Sequence, residues 1–288
     1  MQTVIIIDSC SDLPFEYVKQ HDIPVVNFTF HFKGNDYTDD LGQTISYKDF
    51  YDAIRNGETP TTSQVNAQTY TDMFRKYALE GKSIIYLCFS SALSGSYNNS
   101  LLARDMITEE FPEADITIID TKSASLGEGL LVYHAIDMLE KGASREEIID
   151  WVEENKLKLH HWFTVEDLGH LKRGGRLSGT AAFVGSILDI KPVLNVDDEG
   201  RLIPRIKVKG RKKALRTLIE KMEENIINPE QQVVAISHGD SPDDADYLAE
   251  LIRSKFPVKD IIINSIGPVI GSHSGPGTIA LFFFGKNR

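Results

Sequence analysis

The chain has 288 residues, 41% of them hydrophobic, enough to bury one large core or two ordinary ones. Its formal net charge of −11 excludes nucleic acid as the main partner, because phosphate contacts need a basic face. Cys10 and Cys88 show neither disulfide nor metal-ligand spacing, no stretch approaches the ~20 apolar residues of a membrane helix, and the N-terminus carries no leader pattern, so a cytoplasmic protein is expected.

Thr3 to Ile7 reads as a buried strand ending in the polar turn Asp8-Ser9-Cys10-Ser11-Asp12, with a short helix over Leu13 to Gln20. Val25 to Phe32 alternates apolar and polar residues and predicts one half-covered strand. Ser46, with Asp49 three residues on, opens a helix to about Ile54 that Asn56-Gly57 closes. Pro60 to Val65 is extended or turn-like, and Ala67 to Leu79 has helical spacing with Gly81 as its stop. Ser83 to Phe89 is almost continuously apolar, as in a strand buried on both faces. It runs through Ser90, Ser91, Ser94 and Ser96 into a helix over Tyr97 to Glu110. Asp115 to Ile119 is a further strand, Leu130 to Glu140 a helix stopped at Gly142, and Ser144 with Glu147 a capping box for Arg145 to Asn155. Strands and helices taking turns across short connections mean a parallel sheet covered on both faces.

From about His160 the rhythm changes. His161 to Val165 is a strand, Glu166 to Lys172 a short helix, and Arg173 to Gly179 a glycine-rich basic loop leading into a helix over Ser178 to Leu188. Lys191 to Val196 and Arg201 to Arg205 form a hairpin about Asp197-Asp198-Glu199-Gly200. Helices over Lys212 to Ile226 and Asp243 to Lys255 alternate with strands over Gln232 to Ser237, Asp260 to Ile266 and Ile279 to Phe284. The expected architecture is an N-terminal α/β domain with a parallel sheet, residues 1–160, and a C-terminal α+β domain with a mixed, partly antiparallel sheet, residues 161–288.

Two stretches carry chemistry. Hydroxyls and backbone N–H groups gather where the strand from Ser83 meets its helix, the position at which open α/β sheets bind ligands and a helix N-terminus favours an anion. The same serines also serve as ordinary turn and cap residues. Gly267 to Thr278 is denser in glycine than a turn requires, which lets backbone approach a ligand, and His273 supplies a titratable donor within it. Gly271-Ser272-His273-Ser274-Gly275 has His where a nucleophile elbow needs Ser, and Gly127-Glu128-Gly129 lacks the third glycine of a dinucleotide fingerprint. Asp8, Asp12 and Asp120 stand at strand ends, where carboxylates do acid–base work or, as favoured here, cap the backbone. No nucleophile is paired with a base. The pattern suits holding an acidic head group more than breaking a bond.

With these residues in hand, the sequence resembles the DegV family of lipid-binding proteins, which includes the fatty-acid-binding subunits of bacterial fatty acid kinase. The resemblance runs from end to end through Ile-Ile-Asp8-Ser-Cys-Ser-Asp12-Leu-Pro, Thr62-Ser63-Gln64, Ser91-Ala-Leu-Ser94-Gly95-Ser96-Tyr97, Ile119-Asp120-Thr121-Lys-Ser, Leu171-Lys-Arg-Gly174-Gly175-Arg176, Lys191-Pro192-Val-Leu and Gly267 to Gly277. Val65 departs from it, since the family usually has proline there. The resemblance implies a long-chain fatty acid buried in a tunnel, its carboxylate held by Thr62 and Ser94 with His273 beside it. Ser63, Ser91, Gly95, Arg176, Gly271 and Ser272 are further ligand-site candidates. It also implies no cofactor of the chain's own and a separate ATP-binding fatty acid kinase subunit that converts the bound acid to an acyl phosphate. Arg173, Arg176 and Arg205 are candidates for docking that subunit or are ordinary ion pairs, and transient contact with a membrane surface fits the same picture. Which of Phe28, Phe30, Ile187, Leu188 and Phe282 to Phe284 face the tunnel is left open, as are two alternatives: a stand-alone acyl hydrolase or transferase using Ser94 with His273, and a dihydroxyacetone-kinase-like phosphosugar-binding subunit.

Overall fold

The computed structural model describes residues 2–178 and 189–288. The helix expected from Ser178 onward and the tunnel candidates Ile187 and Leu188 therefore fall almost wholly outside the described residues. Strands β1 (Thr3–Asp8), β2 (Val25–Val26), β6 (Ser83–Cys88) and β7 (Ile116–Asp120) form a parallel sheet in the order β2-β1-β6-β7. All six residues of β6 are buried, as its unbroken apolar run requires of a central strand. Helices α1 (Phe15–Gln20), α3 (Ala67–Leu79), α4 (Ser96–Glu110) and α5 (Leu126–Glu140) follow in α/β fashion, and α6 (Arg145–Asn155) opens on the expected capping box of Ser144 and Glu147.

The C-terminal strands form a six-stranded mixed sheet in the order β10-β9-β8-β13-β11-β12. They are β8 (Leu159–Thr164), β9 (Ile190–Val196), β10 (Leu202–Lys209), β11 (Val233–His238), β12 (Asp260–Ser265) and β13 (Ile279–Phe284), and only β11 and β12 pair in parallel. Helices α8 (Arg211–Asn225) and α9 (Pro242–Lys255) pack on this sheet. Between the two sheets lies α5. It touches β1 and β6 on one side and β8, β11 and β13 on the other, and its Leu126, Leu130, Leu131 and Val132 are completely buried. Its first two turns, Leu126 to Val132, are buried without a break, as a helix between two sheets requires.

Two expectations change. Val25 to Phe32 is not one strand. The backbone at Phe28 leaves the sheet to donate its N–H to Ser9 Oγ (3.1 Å) and accept from Asp39 N (2.8 Å), so the chain divides into β2 and β3 (Thr29–Phe32). The latter joins a small antiparallel sheet with β4 (Asn35–Thr38) and β5 (Thr61–Ser63), which leans on α2 (Tyr47–Arg55) through Phe30, Phe32 and Phe50. The glycine-rich stretch after Gly267 is not wholly loop either. Pro268–Ser274 is a helix, α10, with Pro in its first turn, where no N–H is needed. Its N-terminal end is seated on a buried carboxyl, Asp12 Oδ1, which accepts Gly267 N at 2.8 Å, and the buried Asp39 carboxyl stands close by, 3.1 Å from where a Gly267 Cβ would lie. A Cβ on Gly267 would stand 2.9 Å from Asp12 Oδ1, so glycine is what lets the helix come this close. The helix α7 (Leu168–Arg173) lies beside it.

Burial raises Asp39 to about 7 and Asp8 to about 6. Both are then protonated in the fold at pH values where the unfolded chain, near 4, has lost those protons. Their favourable contribution is complete below about pH 4 and fades as the pH climbs through 6 and 7. In urea unfolding, Asp39→Asn should gain on the wild type as the pH rises from 5 to 8, by on the order of 1–3 kcal/mol. A difference that stays constant with pH would show that Asp39 is ionised in the folded protein.

Candidate functional site

A cavity opens where β5, the end of β6, the N-terminus of α5, the face of the mixed sheet and α10 converge. Its unfilled space is about 810 Å³, part of it open to solvent. The inner wall is apolar: Phe28, Phe89, Leu93, Phe163, Val269 and Phe282 all line it and are buried. Sheet register explains the choice. Ala280 sits between Ser237 and Phe163, and Phe282 pairs with His161, so alternate residues of β13 face the cavity while Phe283 turns into the core beneath α8 and α9. Of the tunnel candidates, Phe28 and Phe282 line the space, and Phe30, Phe283 and Phe284 do not.

Polar groups collect at the mouth, where Ser63 and Gln64 are exposed. Thr62 on β5 and His273 on α10 meet there, with Thr62 Oγ1 2.7 Å from His273 Nε2. The other ring nitrogen, Nδ1, is buried without a hydrogen-bond partner among the described residues and lies where a Cβ on Gly174 would come within 2.1 Å of it. The Nε2–H tautomer fits this arrangement: the imidazole donates to Thr62, and the Thr62 O–H stays free for a ligand. Burial first, and the Arg176 charge second, hold His273 down at about 4, so it is neutral near pH 7.

Ser94 also lines the cavity, in the turn ahead of α4. Its hydroxyl lies 2.9 Å from Ser96 Oγ and accepts Ser96 N at 3.2 Å, while Ser96 Oγ accepts Val65 N at 3.0 Å. Arg176 reaches the same mouth with its guanidinium engaged by backbone: Nε donates to Leu93 O at 3.1 Å, and Nη1 donates to Gly174 O. It brings positive charge to the site with two of its N–H groups already given to backbone.

Thr62, Ser63, Ser94, Arg176 and His273 thus share one cavity. The other candidates do not line it. Ser91 belongs to a neighbouring network, its N–H on Asp120 Oδ1 (3.2 Å) and its hydroxyl taking a hydrogen bond from Lys122 (3.2 Å). Gly95 makes room for Gln64, whose Oε1 would be 2.1 Å from a Cβ there. Gly271 gives the same freedom to Tyr51, and Ser272 bonds back to Pro268 O at 2.7 Å within its own helix. Arg173 faces His170 (3.2 Å) and Arg205 donates to Asn195 (2.8 Å). The strand-end carboxyls hold backbone: Asp8 accepts Cys10 N and Phe89 N, and Asp120 accepts Ser91 N and Lys122 N.

Sequence reasoning missed Gln64, Leu93, Ser125, Ser237 and Ser274, which also line the cavity. Gln64 had a signal, its place directly after Thr62 and Ser63. Ser125 and Ser237 had none, since they meet across 112 residues of sequence, their hydroxyls 2.9 Å apart, with Asp12 accepting from Ser125.

The DegV family model, described as "Uncharacterised protein, DegV family", matches residues 2–286. A DegV domain-containing protein of Clostridium perfringens is 51% identical over 285 residues, covering 99% of this chain and 98% of that protein. A fatty-acid-binding DegV family protein from Thermus thermophilus superposes with a TM-score of 0.90 at 31% identity, over 99% of this chain and 100% of that one. A DegV lipid binding protein from Thermotoga maritima gives a TM-score of 0.86 at 32% identity over 100% of both chains. No helix among the described residues is long and apolar enough to cross a membrane. The chain belongs to the DegV family.

Proposed function

We propose that this chain binds a long-chain fatty acid, with the hydrocarbon tail along the apolar wall and the carboxylate at the mouth between Thr62, Ser94 and His273. The observation that carries the reading is one cavity with two characters, greasy inside and carrying neutral hydroxyls where it meets solvent, one of them seated on the His273 imidazole. Solved relatives that bind fatty acids or lipid share the fold over their whole length. Burying ~0.8 kcal/mol per CH₂ over roughly 14–18 carbons sets an upper bound near 10–14 kcal/mol, which ordering of the chain and association reduce. The tail then supplies most of the affinity, and the head group fixes orientation.

The further step is presentation to an ATP-binding kinase subunit that phosphorylates the carboxylate, with no cofactor held by this chain itself. Neutral donors leave a carboxylate oxygen its nucleophilic lone pairs, whereas a bidentate arginine would compete for both oxygens. The position of the head group beside exposed Ser63 and Gln64 supports access from outside. Cleavage by this chain alone is the weaker reading, because His273 is engaged with Thr62 and Ser94 with Ser96, and among the described residues no base is hydrogen-bonded to Ser94.

In calorimetric titration with hexadecanoic acid, Thr62→Ala and Ser94→Ala should each weaken binding by about 1–2 kcal/mol. Wild-type affinity in both would remove them from the head-group site. Gly174→Ala should also weaken binding, because its Cβ would collide with the His273 ring and push it from Thr62. Unchanged affinity in that variant would mean the imidazole has room to move without loss.

A further inference from the structure

Several hydroxyls of the cavity wall already meet protein. Thr62 meets His273, Ser94 meets Ser96, and Thr278 Oγ1 lies within hydrogen-bond distance of the carbonyl oxygens of Ser274 (3.0 Å) and Gly275 (2.9 Å). Ser274 differs. It lines the cavity from the last turn of α10 and is only 5% exposed, yet its Oγ has no hydrogen-bond partner among the described residues. Ser272, two residues earlier, bonds back to Pro268 O within the same helix, and Ser274 does not bond back in this way.

A second hydroxyl stands in the same corner. Ser237, completely buried on β11, also lines the cavity, with its Oγ 2.9 Å from Ser125 Oγ, which in turn hydrogen-bonds Asp12. The ends of β11 and α10 are packed together here. Gly277 N donates to Gly239 O at 2.7 Å, Gly239 N donates to Thr278 O at 2.8 Å, and a Cβ on Gly239 would stand 2.7 Å from Gly275 O. Beside Ser237 on the neighbouring strand is Ala280, whereas the next cavity-facing residue of that strand is Phe282. The small side chain leaves room in front of the Ser237 hydroxyl.

A buried hydroxyl without a partner is costly, and a methylene chain passing it supplies none. The group that completes this corner has to both give and accept a hydrogen bond. Ser274 has its hydrogen and its lone pairs unspent, and Ser237 shares one hydrogen bond with Ser125. An alcohol does both. A ketone oxygen only accepts, and a second carboxylate would carry charge into an apolar space. Ser274 directly follows His273, about 100° round the helix, so its hydroxyl stands just inside the head-group site. We propose that the preferred ligand is a fatty acid with a hydroxyl on one of the carbons nearest its carboxylate, bound between Ser274 and Ser237. The inference rests on the fatty-acid reading above and narrows its substrate class. Past this corner the unsubstituted tail meets Phe163 and Phe282.

The test is competition calorimetry on the full-length protein with hexadecanoic, 3-hydroxyhexadecanoic and 16-hydroxyhexadecanoic acids. It is read as a ratio of Kd values, which a uniform loss of head-group or tail binding does not move. The wild type should bind the 3-hydroxy acid about tenfold more tightly than the unsubstituted acid, and the 16-hydroxy acid no better than the unsubstituted one. Ser274→Ala should bring the 3-hydroxy ratio close to one, and Ser237→Ala should lower it. A wild-type ratio of one or less overturns the inference, since a buried water meeting Ser274 would give that result. A ratio that survives Ser274→Ala overturns it as well, and so does an equal gain from the 16-hydroxy acid, which would place the preference elsewhere in the cavity. If the wild type binds none of the three acids, it is the fatty-acid reading that fails, and this inference falls with it.

Discussion

The hydrogen bond between Thr62 and His273 joins residues 211 apart in sequence, one on a strand of the small N-terminal sheet and one on a helix of the C-terminal half. Neither partner can be placed by its own neighbourhood. Thr62 is fixed by the pairing of β5 with β3, and His273 by the seating of α10 on Asp12. The site therefore exists only when the two halves are docked. The docking is secured by α5, whose apolar sides belong to the core of both sheets. Backbone polar groups at the short α10 would be costly to bury unmet, and the Asp12 carboxyl, 255 residues away, meets the Gly267 N–H.

Electrostatics at the mouth follow from the same economy of partners. Arg176 gives two of its N–H groups to carbonyl oxygens and burial keeps His273 neutral, while Thr62 and Ser94 bring neutral hydroxyls to the mouth. Such donors orient a carboxylate without tying up all its lone pairs. Deeper in the cavity the lining turns aliphatic and aromatic, and orientation there needs no further polar contact. A tail buried by area and a head group held by direction is the division of work that the geometry supports.

Much of the fold was legible because its signals are local. The unbroken run of β6, the capping box at Ser144 and the turn between β9 and β10 each depend on residues within a few positions of one another. What was not legible depends on distant partners. The break between β2 and β3 is made by Ser9 and Asp39, and α10 is capped from Asp12 across 255 residues, so a stretch rich in glycine and proline read as loop. At the site, the chemistry of the serines at the end of β6 and of His273 was visible, but which serine faces the ligand was not. Ser91 and Ser94 are three residues apart in one turn, yet Ser91 turns to Asp120 and Lys122 while Ser94 turns to the cavity. Sheet register decided the tail side in the same way, sending Phe282 inward and Phe283 away.

The central claim is that a hydrocarbon chain ending in an acid occupies the space between the two sheets. It is tested most directly by denaturing protein purified from cells, extracting it with organic solvent, and identifying by mass spectrometry what is released. The account predicts long-chain fatty acid in an amount approaching one molecule per chain. Recovery of a phosphorylated sugar, or of no acyl chain from protein that also fails to take one up when offered it, would contradict it.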